Sequence, residues 1–348
     1  PGRLHASDRD SSGKVAFGLA WPGHLGPCQA EAKPDEPMTH APNRTLAAFG
    51  AVLIYACVIA YTDNYVRVIA RDAGLWQFHA TRTVMAIAIL AALAIPLGLR
   101  LRPRRPKAVL ARSAIHGAAM VIYFGALAFL PVAQVAAGLF TAPIFVLLIQ
   151  RFAYDRPILG MQILAVMLGF AGVVLVLGPE AMKGATFAAL LPVISGALYA
   201  LGNIATREWC AGESAETILA GFFGMLGVIG LVGMAVLWVF PLPVPDGTEG
   251  FLQRGPVWPT GEFLWWTFVQ AAGSLLGVGM IVKAYQIAEA SRVSVFEYVI
   301  LPASAAWGFV LWGEELSWIA VLGMSLIVLA GVLIARPVPV QSPTASLQ

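Results

Sequence analysis

Charge is what this sequence has least of. Only 12% of its 348 residues are Asp, Glu, Lys or Arg, while 59% are apolar. A water-soluble domain usually carries about 25% charged residues, because its surface must face water. Half that fraction over so long a chain leaves too little polar surface to coat a globule, so lipid is the expected solvent. The net charge of +3 is small, and no nucleic-acid partner is expected. Cysteine is scarce too. Cys28, Cys57 and Cys210 form no CxxC pair and no Cys/His cluster, so spacing suggests neither a disulfide framework nor a metal site. His79 and His116 are isolated. No P-loop, HExxH or nucleophile-elbow motif occurs, which speaks against an ATP-driven pump and an intramembrane protease, and no cofactor is expected.

What the chain does have is long apolar runs. About 20 apolar residues cross a bilayer as a helix, and within hydrocarbon only a helix satisfies its own backbone inside one segment. The runs predict an all-α integral membrane protein of ten transmembrane helices near 46–68, 77–99, 110–129, 132–153, 158–178, 186–207, 216–240, 262–288, 293–313 and 317–335. Charged and proline-rich separators divide them. The break at Leu130-Pro131 is so short that it also fits a kink in one long helix. Residues 1–44 and 338–348 read as tails. The chain begins at Pro1 and its first methionine is Met38, so residues 1–37 are expected to precede the biological start.

Lys and Arg concentrate in cytoplasmic loops. With the N-terminus inside, twelve of these residues fall on the inner side, among them Arg100, Arg102, Arg104, Arg105, Lys107 and Arg112, against five on the outer side. Both termini are therefore expected in the cytoplasm. Arg outnumbers Lys 17 to 5, a bias that fits a GC-rich bacterial genome and hence a bacterial inner membrane.

The two halves repeat. Pro143, Asp155 and Gly172 recur as Pro302, Glu314 and Gly331 at a constant offset of 159. Five spans is an odd number, so a second copy must enter the membrane from the opposite side. Two inverted five-helix repeats, over 45–180 and 185–337, are the architecture many secondary carriers use around a midplane site.

Phe140 to Val146 (FTAPIFV), Tyr154-Asp155-Arg156 and Gly169 to Val173 (GFAGV) resemble the end of an EamA domain. Glu297 to Ala303 (EYVILPA), Trp312-Gly313-Glu314 and Ala330-Gly331-Val332 do so again. Asp63, Arg67 and Arg82 also resemble the pattern of its first two helices. One departure is Tyr154-Asp155, where the family usually has Gly-Glu. The resemblance, over roughly 46–337, implies a ten-helix carrier of the drug/metabolite transporter superfamily. It further implies export of amino acids or similar small metabolites, with nucleotide-sugar or S-adenosyl-type substrates as alternatives. A membrane-embedded enzyme or sensor is the rival class.

A charge at the bilayer centre costs about 2.5–3.5 kcal/mol on insertion scales, so each intramembrane ionisable group needs a reason. Asp63 and Arg67, four apart on one expected helix face, are placed with Arg82 to gate the cavity, to hold an anionic substrate group, or to staple two helices. Glu297 stands among Val295, Phe296 and Val299. Unpartnered, it bears the full cost of desolvation, which suits a proton-coupling site; the alternative is an ion pair with Lys283 or Arg292. Lys283 is kept as a second coupling candidate. Pro143 and Pro302 are expected to bend their helices and free a carbonyl one turn earlier. Gln134, Asn203 and Gln270 either bind substrate or bridge helices, and Tyr123, Tyr298 and Trp307 are candidates to stack on a substrate ring or cation. The expected partners are a small-molecule substrate, the lipid bilayer and protons, with the chain a monomer or homodimer.

Overall fold

A computed structural model describes residues 44–126, 132–178, 190–315 and 317–335. The expected tails and the Leu130-Pro131 break lie outside these residues. All regular structure among the described residues is helical.

The first half contains α1 (Thr45–Asn64), α2 (Val66–Asp72), α3 (Leu75–Ala94), α4 (Pro106–Ala126), α5 (Val132–Leu139), α6 (Ala142–Ala153) and α7 (Gly160–Leu177). The second contains α8 (Leu190–Glu208), α9 (Ala215–Val239), α10 (Gly261–Ile287), α11 (Ala290–Phe296), α12 (Ile300–Trp312) and α13 (Trp318–Ala335). Local chemistry sets several boundaries. Ser214 and Thr260 accept the Thr217 and Phe263 amides at 3.3 and 3.1 Å, capping α9 and α10, and Glu216 and Glu262 follow in the first turns. A side-chain acceptor and an early carboxylate both complement the free N–H groups at a helix start. Gly313, at φ 68°, ends α12 in the left-handed conformation.

Nine stretches among the described residues are long and apolar enough to cross a membrane. Three combine shorter helices: α1 with α2, α5 with α6, and α11 with α12. The remaining expected span, 186–207, corresponds to α8, which is 19 residues long but less apolar, because it carries Asn203, Thr206, Arg207 and Glu208. Large apolar side chains such as Ile163, Leu231 and Leu329 face outward, while Gln77, Arg82, Arg112, His116, Asn203 and Gln270 are buried. That inverts the soluble pattern and suits a lipid surround.

Helix pairing follows a pattern. The pairs α1·α10, α3·α9, α4·α8 and α7·α13 pack most extensively, joined by α1·α12, α6·α8, α3·α10 and α4·α9. Small residues permit the closest approaches. A Cβ at Gly172 would come 2.6 Å from the Gly323 carbonyl oxygen, and the reverse also holds. On α9, Gly230 lets the backbone of α3 approach at Trp76 and Ala80.

Two spans are interrupted. Between α5 and α6 the helix breaks at Phe140-Thr141, and Pro143 opens α6. Between α11 and α12 a 3-10 turn covers Glu297–Val299, and Pro302 lies in the first turn of α12. Both prolines were expected as kinks within a helix. Each stands instead just after a break, where its missing N–H leaves no helical hydrogen bond unmade.

Candidate functional site

The two interruptions face a cavity of about 200 Å³. Leu139, Phe140 and Pro143 reach it from one broken span and Ser294, Glu297 and Ile300 from the other. Side chains of α1, α3, α4, α8, α9 and α10 complete the wall. Convergent polar groups in an otherwise apolar cavity between helices are what a small-molecule site requires.

One end of the cavity is built on Asp63 and Arg82. Gln270 donates its amide to Asp63 Oδ1 at 2.6 Å and accepts from Arg82 at 3.3 Å and from Ser274 Oγ at 2.5 Å. The opposite charges are thus linked through a neutral amide. The Arg82 guanidinium also meets His79 Nδ1 at 3.3 Å and lies 4.9 and 5.5 Å from the ring centres of Phe78 and Phe223, a cation over two aromatic faces. Tyr123 and Phe124 stand beside it on the cavity wall.

Arg67 does not belong to this group, although its spacing from Asp63 placed both on one helix face. The helix is interrupted at Tyr65, between α1 and α2, so the four-residue spacing does not carry through. Arg67 donates to the Asn64 carbonyl and side chain, pairs with Glu314 at 3.1 Å and lies 4.3 Å from the Trp312 ring centre. Both partners of the ion pair are substantially exposed.

Glu297 occupies the 3-10 interruption and is 7% exposed. Tyr199 donates to its Oε2 at 2.6 Å and Tyr285 donates to its Oε1. Two phenolic donors therefore hold the carboxylate, which is neither unpartnered nor in the alternative ion pair with Lys283 or Arg292. Lys283, kept as a second coupling candidate, is exposed on α10 and lies off the cavity wall. Arg292 turns to Glu289 at 3.2 Å and to the Ile334 carbonyl at 3.4 Å.

The other sequence candidates divide. Asn203, Pro143 and Tyr123 line the cavity, and Gln270 stands behind it in the Asp63 relay. Tyr298 is fully buried, donates to the Phe140 carbonyl at 3.2 Å and packs its ring against Gly169. Trp307 donates to the Cys57 carbonyl at 3.0 Å and meets Tyr61 edge-on. These two, with Pro302, serve helix contacts away from the cavity lining. The side chain of Gln134 lies outside the described residues.

Two wall residues carry a signal that the sequence masked. Arg112, grouped by position with the loop arginines, is 1% exposed on α4 and lines the cavity. Its Nε donates to Thr206 Oγ1 at 2.9 Å, while its Nη1 has no partner among the described residues. His116 lies one helical turn further on the same face, with its ring 4.8 Å from Tyr199 and 5.1 Å from Phe222. The Arg112-x3-His116 spacing was the available clue. Tyr55 and Tyr199 also line the wall.

Comparison with known proteins shows what this chain is similar to. Residues 45–178, which hold α1 to α7, match the EamA-like transporter family. That stretch is similar to an EamA-like transporter domain. A riboflavin transporter of Rhizobium johnstonii is 28% identical over 69% of this chain and 74% of its own length. A second riboflavin transporter, from Brucella anthropi, is 25% identical over 76% of this chain and 87% of its own. A pseudopaline exporter of Pseudomonas aeruginosa is 22% identical over 82% and 95%. One crystal structure, 19% identical, covers 83% of this chain and 97% of its own with a TM-score of 0.63, a likeness of fold. These matches agree with the drug/metabolite transporter superfamily.

Proposed function

We propose that this protein is a secondary carrier that moves a small metabolite across a bacterial inner membrane by alternating access, with the central cavity as its substrate site. The observation that carries the reading is the position of the cavity between two interrupted spans whose prolines, Pro143 and Pro302, stand at the offset of 159. The helix pairing supports an inverted repeat. Exchanging each helix for its counterpart turns α1·α10 into α8·α4, α1·α12 into α8·α6 and α3·α10 into α9·α4, while α3·α9 and α7·α13 map onto themselves. A pseudo-two-fold axis in the membrane plane produces that relation and lets one packing be repeated facing the other way.

Export of amino acids or similar metabolites, with both termini in the cytoplasm, remains the specific form of this proposal. Glu297, buried at an interruption and held by two hydroxyls, is its coupling group: a carboxylate there can exchange a proton without breaking an ion pair. The reading is tested with purified protein in liposomes, by counterflow of labelled metabolites drawn from those that accumulate outside overexpressing cells. Saturable exchange is expected. Cavity ligands that bind tightly yet never exchange across the bilayer would contradict it.

A further inference from the structure

One end of the cavity holds a cation that the protein leaves uncompensated. Arg112 is 1% exposed, yet no carboxylate among the described residues lies within ion-pair distance of it. Thr206, its one hydrogen-bond partner among the described residues, is a neutral hydroxyl that itself donates to the Gly202 carbonyl. Nη1 is buried without a partner. Nearby on α8, Asn203 is 3% exposed and its Nδ2 is likewise unpartnered. His116, on the same face of α4, has an unpartnered Nδ1 that lies against Gly202. The cluster thus offers the Arg112 and Asn203 donors, with a His116 ring nitrogen whose role follows its tautomer. A buried charge is disfavoured unless it is paired, and no described residue supplies the counter-ion here.

The rest of the wall narrows the ligand. Asp63 and Glu297 line the same cavity, so a doubly charged anion such as a phosphate monoester would meet two carboxylates within a small volume. A single carboxylate matches the planar guanidinium edge, whose Nε is already engaged. Tyr55, Tyr123, Phe140, Tyr199 and Phe222 supply aromatic faces for the remainder of the molecule.

We propose that the transported metabolite carries a carboxylate that docks on Arg112 with help from Asn203, its apolar or planar portion lying on the aromatic wall. This rests on the carrier reading above and names its substrate class. Arg112 then acts as a ligand-completed charge: the empty cavity holds an unmatched cation, and loading supplies the partner.

The test uses the full chain in detergent and a fixed panel of benzoate, phenylalanine and indole-3-carboxylate, each beside its carboxamide. Thermal shift titrations give apparent affinities. At least one carboxylate is expected to stabilise the protein while its carboxamide does not. Arg112→Gln should weaken that ligand by at least about tenfold, as loss of a charge-assisted hydrogen bond implies, and Arg112→Lys should restore part of the loss. If Arg112→Gln does not fold, Asn203→Leu provides the second arm, with a smaller loss for the carboxylate. The proposal is overturned if no panel member binds, if carboxamides bind as well, or if a carboxylate binds Arg112→Gln undiminished. Counterflow in liposomes separates the two ideas. Neutral ligands that bind and exchange would keep the carrier and remove the carboxylate, whereas a carboxylate that binds through Arg112 and never exchanges would do the reverse.

Discussion

Arg82 and Arg112 line one cavity from consecutive helices, and their surroundings differ. Arg82 is tied to Asp63 through Gln270 and flanked by His79, Phe78 and Phe223. Arg112 has a threonine hydroxyl and the face of Phe222, 5.7 Å from its guanidinium. Neither has a carboxylate within ion-pair distance among the described residues; Arg82, its Nε unpartnered, is linked to Asp63 through Gln270, whereas Arg112 has no such link to a carboxylate. A buried charge that is linked to a counter-charge at rest contributes to the fold, and one without such a link is available to a ligand. Position in the sequence does not separate these roles, since each arginine stands about two turns into its helix.

The sharpest way to break the comparison is to neutralise each arginine in turn. Arg82→Gln removes a buried guanidinium together with its hydrogen bonds to Gln270 and His79, and hydrogen bonds to a charged group contribute about 1.5–3 kcal/mol; a clear fall in melting temperature is expected. Arg112→Gln removes an unmatched charge, so the ligand-free protein should melt no lower than the parent while transport is lost. Equal destabilisation by the two variants would erase the distinction.

Glu297→Gln extends the comparison to the carboxylates. The neutral side chain keeps its shape and still accepts one phenolic hydrogen bond, so folding and substrate exchange should persist while proton-driven transport fails. Initial rates measured with and without an imposed pH gradient check this, and undiminished response to the gradient in the variant would exclude Glu297 as the coupling group. Packing away from the cavity should matter without selectivity. Gly172→Leu would force apart α7 and α13, and overpacking of this kind costs roughly 1–3 kcal/mol, readable as a fall in thermal stability with ligand affinity unchanged in the folded fraction.

The smallest effects belong to the surface. Arg67→Ala breaks an exposed ion pair worth about 0–1 kcal/mol and should leave melting nearly unchanged. Lys283→Ala, at an exposed site, is expected to have no effect on coupling, which a transport assay across pH would show.

Much of the architecture is legible in the sequence because hydrocarbon leaves the backbone few choices. An apolar run of sufficient length becomes a helix, so the expected 262–288 and 317–335 correspond closely to Gly261–Ile287 and Trp318–Ala335. The repeat spacing also pointed to the two interrupted spans, because their prolines mark the starts of α6 and α12. What spacing could not supply was where each helix stops. The interruption at Tyr65 detaches Arg67 from Asp63, and the one at Glu297 turns a mid-helix carboxylate into a group accessible to two tyrosines. Arg112 was hidden for a different reason. A cation a few residues inside a helix end reads the same whether it snorkels to the surface or turns into the bundle, and only the packing of α4 on α8 decides between them.

The claim that this cavity is the transport site is tested most directly by its accessibility from both faces of the membrane. Val278 lines the cavity from α10, so Val278→Cys in a background lacking Cys28, Cys57 and Cys210 can be labelled with a small membrane-impermeant thiol reagent. Right-side-out and inside-out vesicles present opposite faces. The account predicts labelling in both preparations, slowed in each by a transported metabolite. Labelling from one face alone, whatever the substrate concentration, would contradict alternating access.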